Sequence, residues 1–247
     1  MTKNAIITGA SSGIGAALAR EYARRGWSLA LVARRGDLLE ELRASLRTKA
    51  VAIECDVTDR EAVERAVRRG EAELGGTFDL AIANAGVGVY RSAAKFRIDE
   101  AEQTIRVNVL GMMYLFAAVI PSMVEKKSGR FVGVASLAGL RGLPAAGAYS
   151  ASKAAMQAFL ESARVDLRRY GVGVTIVNPG FIETPMTSGA KFKMPFLMSA
   201  EKAAAVIANG VERGKRVVEF PRLMSLVTRF GRIVPDAVWD RIVGVRS

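Results

Sequence analysis

Short, continuous apolar runs alternate with longer amphipathic segments along most of the chain. Residues 28–33, SLALVA, and residues 80–83, LAIA, are typical of the runs and show no alternation of polar and apolar side chains. Such runs are expected in strands that are covered on both faces. The segments between them, such as residues 60–73, have apolar residues at helical spacing and are followed by glycine. The pattern therefore predicts an α/β fold, a doubly wound parallel sheet with helices on both faces.

The length and composition favour one domain in a reducing compartment. The chain has 247 residues, of which 50% are hydrophobic, so residues 1–247 are predicted to form a single domain with one sizeable core. A single cysteine, Cys55, cannot form an internal disulfide and indicates a cytoplasmic location. The first residues, MTKNAII, lead directly into a predicted strand and do not resemble a signal peptide.

Residues 107–124 form an uncharged run whose length is close to the minimum for a membrane-spanning helix. Asn108 lies near one end of the run and Pro121 near the other. We therefore predict a helix buried within a soluble protein, partly at a subunit interface.

A glycine-rich turn, TGASSGIG at residues 8–15, joins the first predicted strand to the first predicted helix. Gly9 permits a tight turn, Gly13 lets the backbone approach a phosphate, and Gly15 lets helix and strand pack closely. The N–H groups at the helix start, together with the helix dipole, favour an anion. An ordinary strand-to-helix turn is the alternative. The predicted cofactor contacts in this turn are Gly9, Ser11, Ser12, Gly13, Ile14 and Gly15.

The end of the second predicted strand indicates which dinucleotide is bound. An NAD site places an acidic residue about 20 residues beyond the glycines, but this position holds Ala33, followed by Arg34 and Arg35. A guanidinium would bind a 2′-phosphate that a carboxylate would repel, so we predict NADP(H). Asp37 competes for the ribose, but it follows Gly36, beyond the strand. Alternatively, both arginines are solvated charges at the start of a helix.

The net charge of +12 and the sequence pI of about 10.2 favour anionic partners. The basic residues are dispersed and often alternate with glutamate, and they form no aromatic-interleaved cluster, so nucleic-acid binding is not expected. The tail, residues 222–247, is basic and amphipathic. A pocket cover or a subunit contact is favoured for it over peripheral contact with an anionic membrane. Its apolar residues at near-helical spacing are Leu223, Leu226, Val227, Phe230, Ile233 and Val234.

Tyr149 and Lys153 lie four residues apart at the start of a predicted helix. This spacing places a phenol and an ammonium on one helix face. The ammonium would lower the pKa of the phenol from its usual value near 10 and make it a better proton-transfer group. The alternative is an ordinary pair on a solvated helix face.

Seven motifs, in order, resemble the short-chain dehydrogenase/reductase family in its single-domain branch, and they cover roughly residues 4–185. The resemblance implies a Rossmann-like fold. One departure is Ala83, where the family often has asparagine, but the contacts there are mainly through the backbone. The matching motifs are TGASSGIG at 8–15, CDVTD at 55–59, ANAG at 83–86, NVLG at 108–111, VASLAG around Ser136, YSASK at 149–153 and NPGFIET at 178–184.

The resemblance implies a catalytic tetrad of Asn108, Ser136, Tyr149 and Lys153. Tyr149 would exchange a proton with the substrate oxygen, which Ser136 would also bind. Lys153 would hold the nicotinamide ribose, and Asn108 would hold a water that links Lys153 to solvent. No metal is expected, and the absence of histidine excludes His-dependent triads. The further cofactor residues implied are Asp56, Val57, Asn84, Ala85, Gly86, Pro179, Gly180, Ile182 and Thr184, with Tyr149 and Lys153.

The expected function is NADP(H)-dependent interconversion of a carbonyl and an alcohol on a small hydrophobic substrate, by a homodimer or homotetramer. Residues 185–247 form the substrate loop and the variable C-terminal part. The predicted pocket walls are residues 86–89, 137–148 and 181–198. Within the last of these, Phe192, Met194, Phe196, Leu197 and Met198 are apolar, and Lys191 and Lys193 could attract an acidic group.

Two other classes of function stay open. One is a non-catalytic NADP-binding regulator on the same fold. The other is a lipid-surface protein whose dinucleotide fold is vestigial and which would bind no cofactor.

Overall fold

The computed structural model describes residues 2–188 and 194–243. Its centre is a seven-stranded parallel sheet in the order β3-β2-β1-β4-β5-β6-β9. The strands β1, β2 and β4 are buried along their whole length, as the continuous apolar runs predicted. The strands of this sheet are β1 Asn4–Thr8, β2 Ser28–Ala33, β3 Ala50–Glu54, β4 Leu80–Ala83, β5 Arg130–Val134, β6 Gly173–Pro179 and β9 Val217–Phe220. A separate two-stranded ladder pairs β7 Ile182–Glu183 with β8 Met198–Ser199.

Helices cover both faces of the sheet and enclose a core on each side. One core packs the sheet against α3, α5 and α6, and the other packs it against α1, α2 and α7. Adjacent residues of β1 point into different cores, Ile6 into the first and Ile7 into the second. The predicted doubly wound α/β fold is therefore confirmed. The helices are α1 Gly13–Arg24, α2 Gly36–Ser45, α3 Arg60–Leu74, α4 Ile98–Ile105, α5 Gly111–Glu125, α6 Gly147–Leu167, α7 Ala200–Glu212, α8 Arg222–Ile233 and α9 Asp236–Val243.

The chain order reverses between β1 and β4, because β1 leads outward to β2 and β3 whereas β4 leads to β5 and β6. In an open parallel sheet, a crevice forms at the carboxyl ends of the strands at such a point. Thr8 ends β1 here, and its hydroxyl accepts hydrogen bonds from the backbone N–H groups of Asn84 (3.1 Å) and Ala85 (3.2 Å). The two strand ends are thereby joined directly beneath the crevice.

One long helical stretch, Ile98–Glu125, is the only helix in the described residues that could cross a membrane by length and composition. It contains a π-helical segment, Arg106–Leu110, between α4 and α5. Val107, Met112 and Leu115 are buried in the core that includes α3 and α6. This packing agrees with the predicted buried helix.

The tail forms two helices, α8 and α9, joined at Val234 and Pro235. Val234 has extended backbone dihedrals, as expected before proline, so it lies outside the helix that its spacing suggested. The apolar residues predicted for the tail do not line the central cleft, and the apolar side of α8 is exposed, whereas Met224, on another side of the helix, lines that cleft. The other favoured role, a subunit contact, stays a prediction.

Candidate active site

The glycine turn has a backbone that other residues would not readily adopt. Gly9 and Gly13 have φ values of +67° and +54°. A Cβ at Gly9 would meet the Cα of Ala85 at 2.8 Å, and one at Gly15 would meet the carbonyl oxygen of Gly9 at 2.2 Å. The close packing predicted for Gly15 is therefore present. The turn presents the N-terminus of α1, where backbone N–H groups favour an anion.

Arg35 lies across this turn from the end of β2. Its guanidinium Nη2 donates to the hydroxyls of Ser11 (2.9 Å) and Ser12 (2.7 Å). The Ser12 hydroxyl thus accepts a hydrogen bond from the Arg35 guanidinium and does not cap α1. Arg34 is also exposed and lines the same cleft. The Arg35 guanidinium therefore lies at the glycine turn, and Arg34 lines the same cleft.

The end of β3 supplies the next wall of the cleft. The Asp56 carboxylate accepts hydrogen bonds from the N–H and the hydroxyl of Thr58, both at 2.9 Å. Val57 is buried, and a Cβ at Gly111 would meet its side chain at 2.9 Å. Both predicted residues, Asp56 and Val57, line the cleft. They face it from the side of the sheet that carries Arg34.

Tyr149 and Lys153 lie on one side of α6, with the Lys153 Nζ atom 5.7 Å from the centroid of the Tyr149 ring. Lys153 is 4% exposed, and its Nζ donates to the carbonyl oxygen of Val134 at 2.9 Å. Burial lowers the pKa of Lys153 to about 7. The pair is therefore not an ordinary pair on a solvated helix face.

The Tyr149 phenol does not have the lowered pKa that its spacing from Lys153 suggested. Burial, assisted by Tyr90, raises the pKa of Tyr149 to about 12, against a smaller lowering by a hydrogen bond with Ser136. The Tyr90 and Tyr149 rings are 5.9 Å apart. The reason is that burial disfavours the charged phenolate, and burial likewise disfavours the ammonium of Lys153 that was expected to stabilise it.

Ser136 follows β5 and is 8% exposed. Its Oγ accepts a hydrogen bond from the N–H of Ala138 (3.1 Å), which leaves the hydroxyl hydrogen available for another acceptor. Gln157 fixes the backbone beneath it, since its Nε2 donates to the Ser136 carbonyl (2.8 Å) and to Asn178 Oδ1 (3.0 Å). Ser136 is thus held beside Tyr149 by its own turn and by α6.

Asn108 is fully buried in the π-helical segment and does not line the cleft. Its Oδ1 accepts from the N–H of Val87 (2.8 Å), and its Nδ2 donates to the Val87 carbonyl (2.9 Å) and to Ser152 Oγ (2.9 Å). Asn108 therefore acts on the loop after β4, and Val87 of that loop lines the cleft.

One cleft of about 870 Å³ brings most of the predicted residues together. Of the predicted site residues, Gly15 and Asn108 do not line it, because both are packed behind the loops that do. The predicted residues that line the cleft are Gly9, Ser11, Ser12, Gly13, Ile14, Arg34, Arg35, Asp56, Val57, Asn84, Ala85, Gly86, Ser136, Tyr149, Lys153, Pro179, Gly180, Ile182 and Thr184.

The cleft also has lining residues that are mainly apolar and were not predicted as cofactor contacts. They include Gly88, Tyr90, Leu143, Pro144, Met186 and Met224. A Cβ at Gly88 would lie 3.4 Å from the Met186 sulfur and 3.5 Å from the Tyr149 ring. Val89, Met194, Phe196, Leu197 and Met198, which were predicted as walls, are not among the described residues that line the cleft. Phe196 and Leu197 are instead exposed. The predicted contributions of Lys191, Phe192 and Lys193 lie outside the described residues.

The sequence resembles known proteins along nearly its whole length. Residues 3–194 match the family described as short chain dehydrogenase. The chain belongs to this family. An uncharacterized oxidoreductase of Myxococcus xanthus is 42% identical over 96% of this chain and 95% of its own. The protein is accordingly an oxidoreductase of the short-chain dehydrogenase family, which binds a nicotinamide cofactor, acts on small substrates and typically forms oligomers.

Two solved structures of short-chain dehydrogenases are similar to this one. The enzyme of Sphingobium yanoikuyae, in complex with NADPH, is 28% identical, with a TM-score of 0.79 over 99% of this chain and 93% of that one. The enzyme of Burkholderia phymatum, in complex with NAD, shares the fold at 24% identity, with a TM-score of 0.85 over 92% of each chain. Both cofactors therefore occur among proteins of this fold.

Sequence reasoning missed several residues of this dehydrogenase site. Gln157 follows Lys153 by four residues, as Lys153 follows Tyr149, so helical spacing could have identified it. Tyr90 and Met224 reach the cleft from distant segments, and no local sequence signal indicates this. In the described residues there is no group of three or more His, Cys, Asp or Glu side chains that could hold a metal.

Proposed function

We propose that this protein is an NADP(H)-dependent oxidoreductase that interconverts a carbonyl and an alcohol on a small, mainly apolar substrate. The observation that carries the proposal is that Tyr149 and Ser136 line one cleft together with the predicted cofactor residues and with several apolar side chains. A substrate oxygen that reaches both hydroxyls would have its carbon beside the nicotinamide end of a bound dinucleotide.

The cleft is suited to a dinucleotide. At Gly9 and Gly13 a Cβ would press on Ala85 and Thr184, so glycine lets the turn pack closely on the loops that line the cleft. The start of α1 offers backbone N–H groups to a pyrophosphate. Asp56 and Val57 would flank the adenine, and residues 179–184 the nicotinamide. The preference for NADP(H) is supported by Arg35, which lies against Ser11 and Ser12, and by Arg34, which lines the same cleft, since a guanidinium would bind a 2′-phosphate.

The side chains have distinct roles in this proposal. The bound cofactor supplies or accepts the hydride. The raised pKa of Tyr149 keeps its phenol protonated at neutral pH, which is the form that donates a proton to the oxygen during reduction. Ser136 donates a hydrogen bond to the same oxygen and stabilises its developing charge. A proton on Lys153 then stabilises the phenolate that Tyr149 becomes.

The apolar lining of the cleft favours substrates that carry a hydrophobic group next to the carbonyl. Gly88 and Met186 lie beside the Tyr149 ring, and Met224 lines the same cleft. Methionine side chains adapt to irregular shapes, so several related substrates could be accepted. Cys55 also lines the cleft, but it is buried, and burial raises its pKa to about 11, so its thiol is a poor nucleophile at neutral pH.

The test is a screen of hydrophobic ketones and aldehydes in which NADPH absorbance is followed, with wild-type protein and Tyr149→Phe. Tyr149→Phe is expected to lower turnover by roughly 10²- to 10⁴-fold while NADPH still binds. Retained turnover in this variant would refute the role of Tyr149. NADPH binding without turnover on any carbonyl would favour a non-catalytic regulator, and no binding would favour a vestigial site.

A further inference from the structure

The most apolar side of α8 faces away from the protein. At 100° per residue, its five large aliphatic and aromatic side chains on this side fall within an arc of about 120°. The exposed fractions are Leu223 56%, Leu226 65%, Val227 64%, Phe230 67% and Ile233 75%. A surface helix normally places such an arc against the core. The arc of α8 is therefore suited to contact something outside this chain.

The opposite side of α8 is fixed to the protein, so the exposure of the arc does not result from a loosely placed helix. Met224 lines the active-site cleft, and a Cβ at Gly180 would meet its sulfur at 2.8 Å. Ser225 is buried, and its hydroxyl donates to Glu219 of the neighbouring strand β9. Arg229 donates to the same carboxylate at 2.8 Å and 3.1 Å.

The end of α8 is fixed by Arg141, from the loop before α6. Its guanidinium donates to the carbonyl oxygens of Gly231 and Val234 (2.7 Å to the latter) and to the Asp236 carboxylate (2.8 Å). It also lies 4.7 Å from the ring centroid of Trp239, which packs closely on Gly231. These contacts set the rotation of α8 and keep its apolar arc directed outward.

The charges around the arc favour an anionic partner. Within α8 the charged residues are Arg222, Arg229 and Arg232, all exposed, and the helix contains no acidic residue. The whole chain carries +12. A second copy of the chain that packed its own α8 on this arc would bring like charges together, whereas anionic lipid headgroups would attract them.

We infer that α8 docks the protein on an anionic lipid bilayer, with the apolar arc buried at the boundary between headgroups and acyl chains. Arg222, which lies next to the arc at 100° per residue, would contact the headgroups. In α9, Val238 and Ile242 are exposed as well and add apolar area to the tail. The same helix forms part of the cleft wall through Met224, so docking would bring the active site to the membrane. The inference does not depend on the proposed reaction.

The test is co-sedimentation of the full-length protein with vesicles of phosphatidylcholine alone or mixed with phosphatidylglycerol. Val227→Glu, in the arc, is compared with Val165→Glu on α6. The two valines are 64% and 69% exposed, and both changes lower the net charge by the same amount. Val165 is a suitable control because it lies about 24 Å along α6 from Tyr149, near the end of the helix that leads to the start of β6.

The wild type is expected to bind the phosphatidylglycerol vesicles at least about tenfold more tightly than the neutral ones, and less tightly as salt is added. Val227→Glu should weaken this binding by on the order of tenfold, and Val165→Glu by less than about twofold. Both variants should bind NADPH as the wild type does, since neither position lines the cleft.

Three results would overturn the inference. The first is no vesicle binding by the wild type at low salt. The second is equal loss in the two variants, which would mean that overall charge is responsible. The third is a shift of the solution mass to a smaller species in Val227→Glu together with vesicle binding equal to that of the wild type, which would assign the arc to a second copy.

Discussion

Asn108 and Val87 exchange two hydrogen bonds, one from the Val87 N–H to Asn108 Oδ1 and one from Asn108 Nδ2 to the Val87 carbonyl. The side-chain amide of Asn108 thus bonds both the N–H and the carbonyl of Val87, a residue that follows β4 and belongs to no strand. The amide of Asn108 is directed to this loop, while the Nζ of Lys153 donates to Val134. Asn108 is best described as a positioning residue, and the water expected between it and Lys153 stays a prediction.

Asn108→Ala is expected to lower the free energy of unfolding by roughly 1–3 kcal/mol, because the Val87 N–H loses its partner in a buried site. Urea denaturation measures the change. Thr104→Ala is a suitable control, since it removes a buried hydroxyl that bonds only one carbonyl, that of Glu100, in the same helical stretch. Equal loss in the two variants would contradict a special role for the amide of Asn108.

The pKa of Lys153 makes stability depend on pH. Burial lowers it from 10.5 to about 7, so between these values the unfolded chain binds a proton that the folded protein does not. The stability of the wild type should therefore rise with pH across this window, by at most about 1.4 kcal/mol per pH unit from this group. Below pH 7 both states are protonated and the cost of burying the ammonium is fully present.

The measurement is urea denaturation from pH 6 to pH 9 without added cofactor, with Lys153→Met as the comparison. Lys153→Met lacks the titrating group. The excess of its free energy of unfolding over that of the wild type should therefore be largest near pH 6 and should shrink as the pH rises. The Tyr149 pKa of about 12 lies above this range and does not interfere. A constant difference between the two proteins would show that Lys153 does not titrate in the window.

Much of the fold could be predicted from sequence because its signals are local. A strand buried on both faces is continuously apolar, as in Ser28–Ala33, and a turn against a phosphate needs glycine where φ is positive, as at Gly9. The order of motifs indicated which strand ends meet. Each of these signals lies within a few residues of the feature that it predicts.

The arrangement around α8 could not be predicted, because helical spacing identifies an apolar side but not the direction that it faces. The direction is set by contacts distant in sequence, above all by Arg141, which bonds residues about 90 positions later. The tyrosine pKa was missed for a similar reason. Spacing from Lys153 predicted a lowered value, but burial of the ring is a property of the whole cleft and raises it.

Arg35→Ala is expected to raise the dissociation constant of NADPH on the order of tenfold or more, because a charge-assisted contact to the 2′-phosphate is lost. NADH binding should change less than about twofold, since NADH lacks this phosphate. Fluorescence titration measures both. Arg43→Ala, whose guanidinium pairs with Glu40 on the surface of the same helix α2, is the control. Equal losses for NADPH and NADH would mean that Arg35 supports the Ser11–Ser12 turn instead of selecting the cofactor.

Arg141→Ala is expected to make α8 and α9 more mobile, because the bonds of Arg141 to Val234 and Asp236 are lost. Through Met224 on α8, the apolar wall of the cleft should become more mobile as well. Substrate KM should rise by roughly tenfold with little change in kcat, because the groups that touch the reacting oxygen are not altered. Hydrogen exchange should accelerate in residues 222–243.

Arg141→Lys should restore little, since one ammonium cannot bond two carbonyls and a carboxylate while lying on Trp239. Arg97→Ala, which removes an exposed pair with Asp99, is the control. Unchanged exchange in the tail of Arg141→Ala would show that other contacts, such as that of Ser225 with Glu219, are sufficient to hold α8.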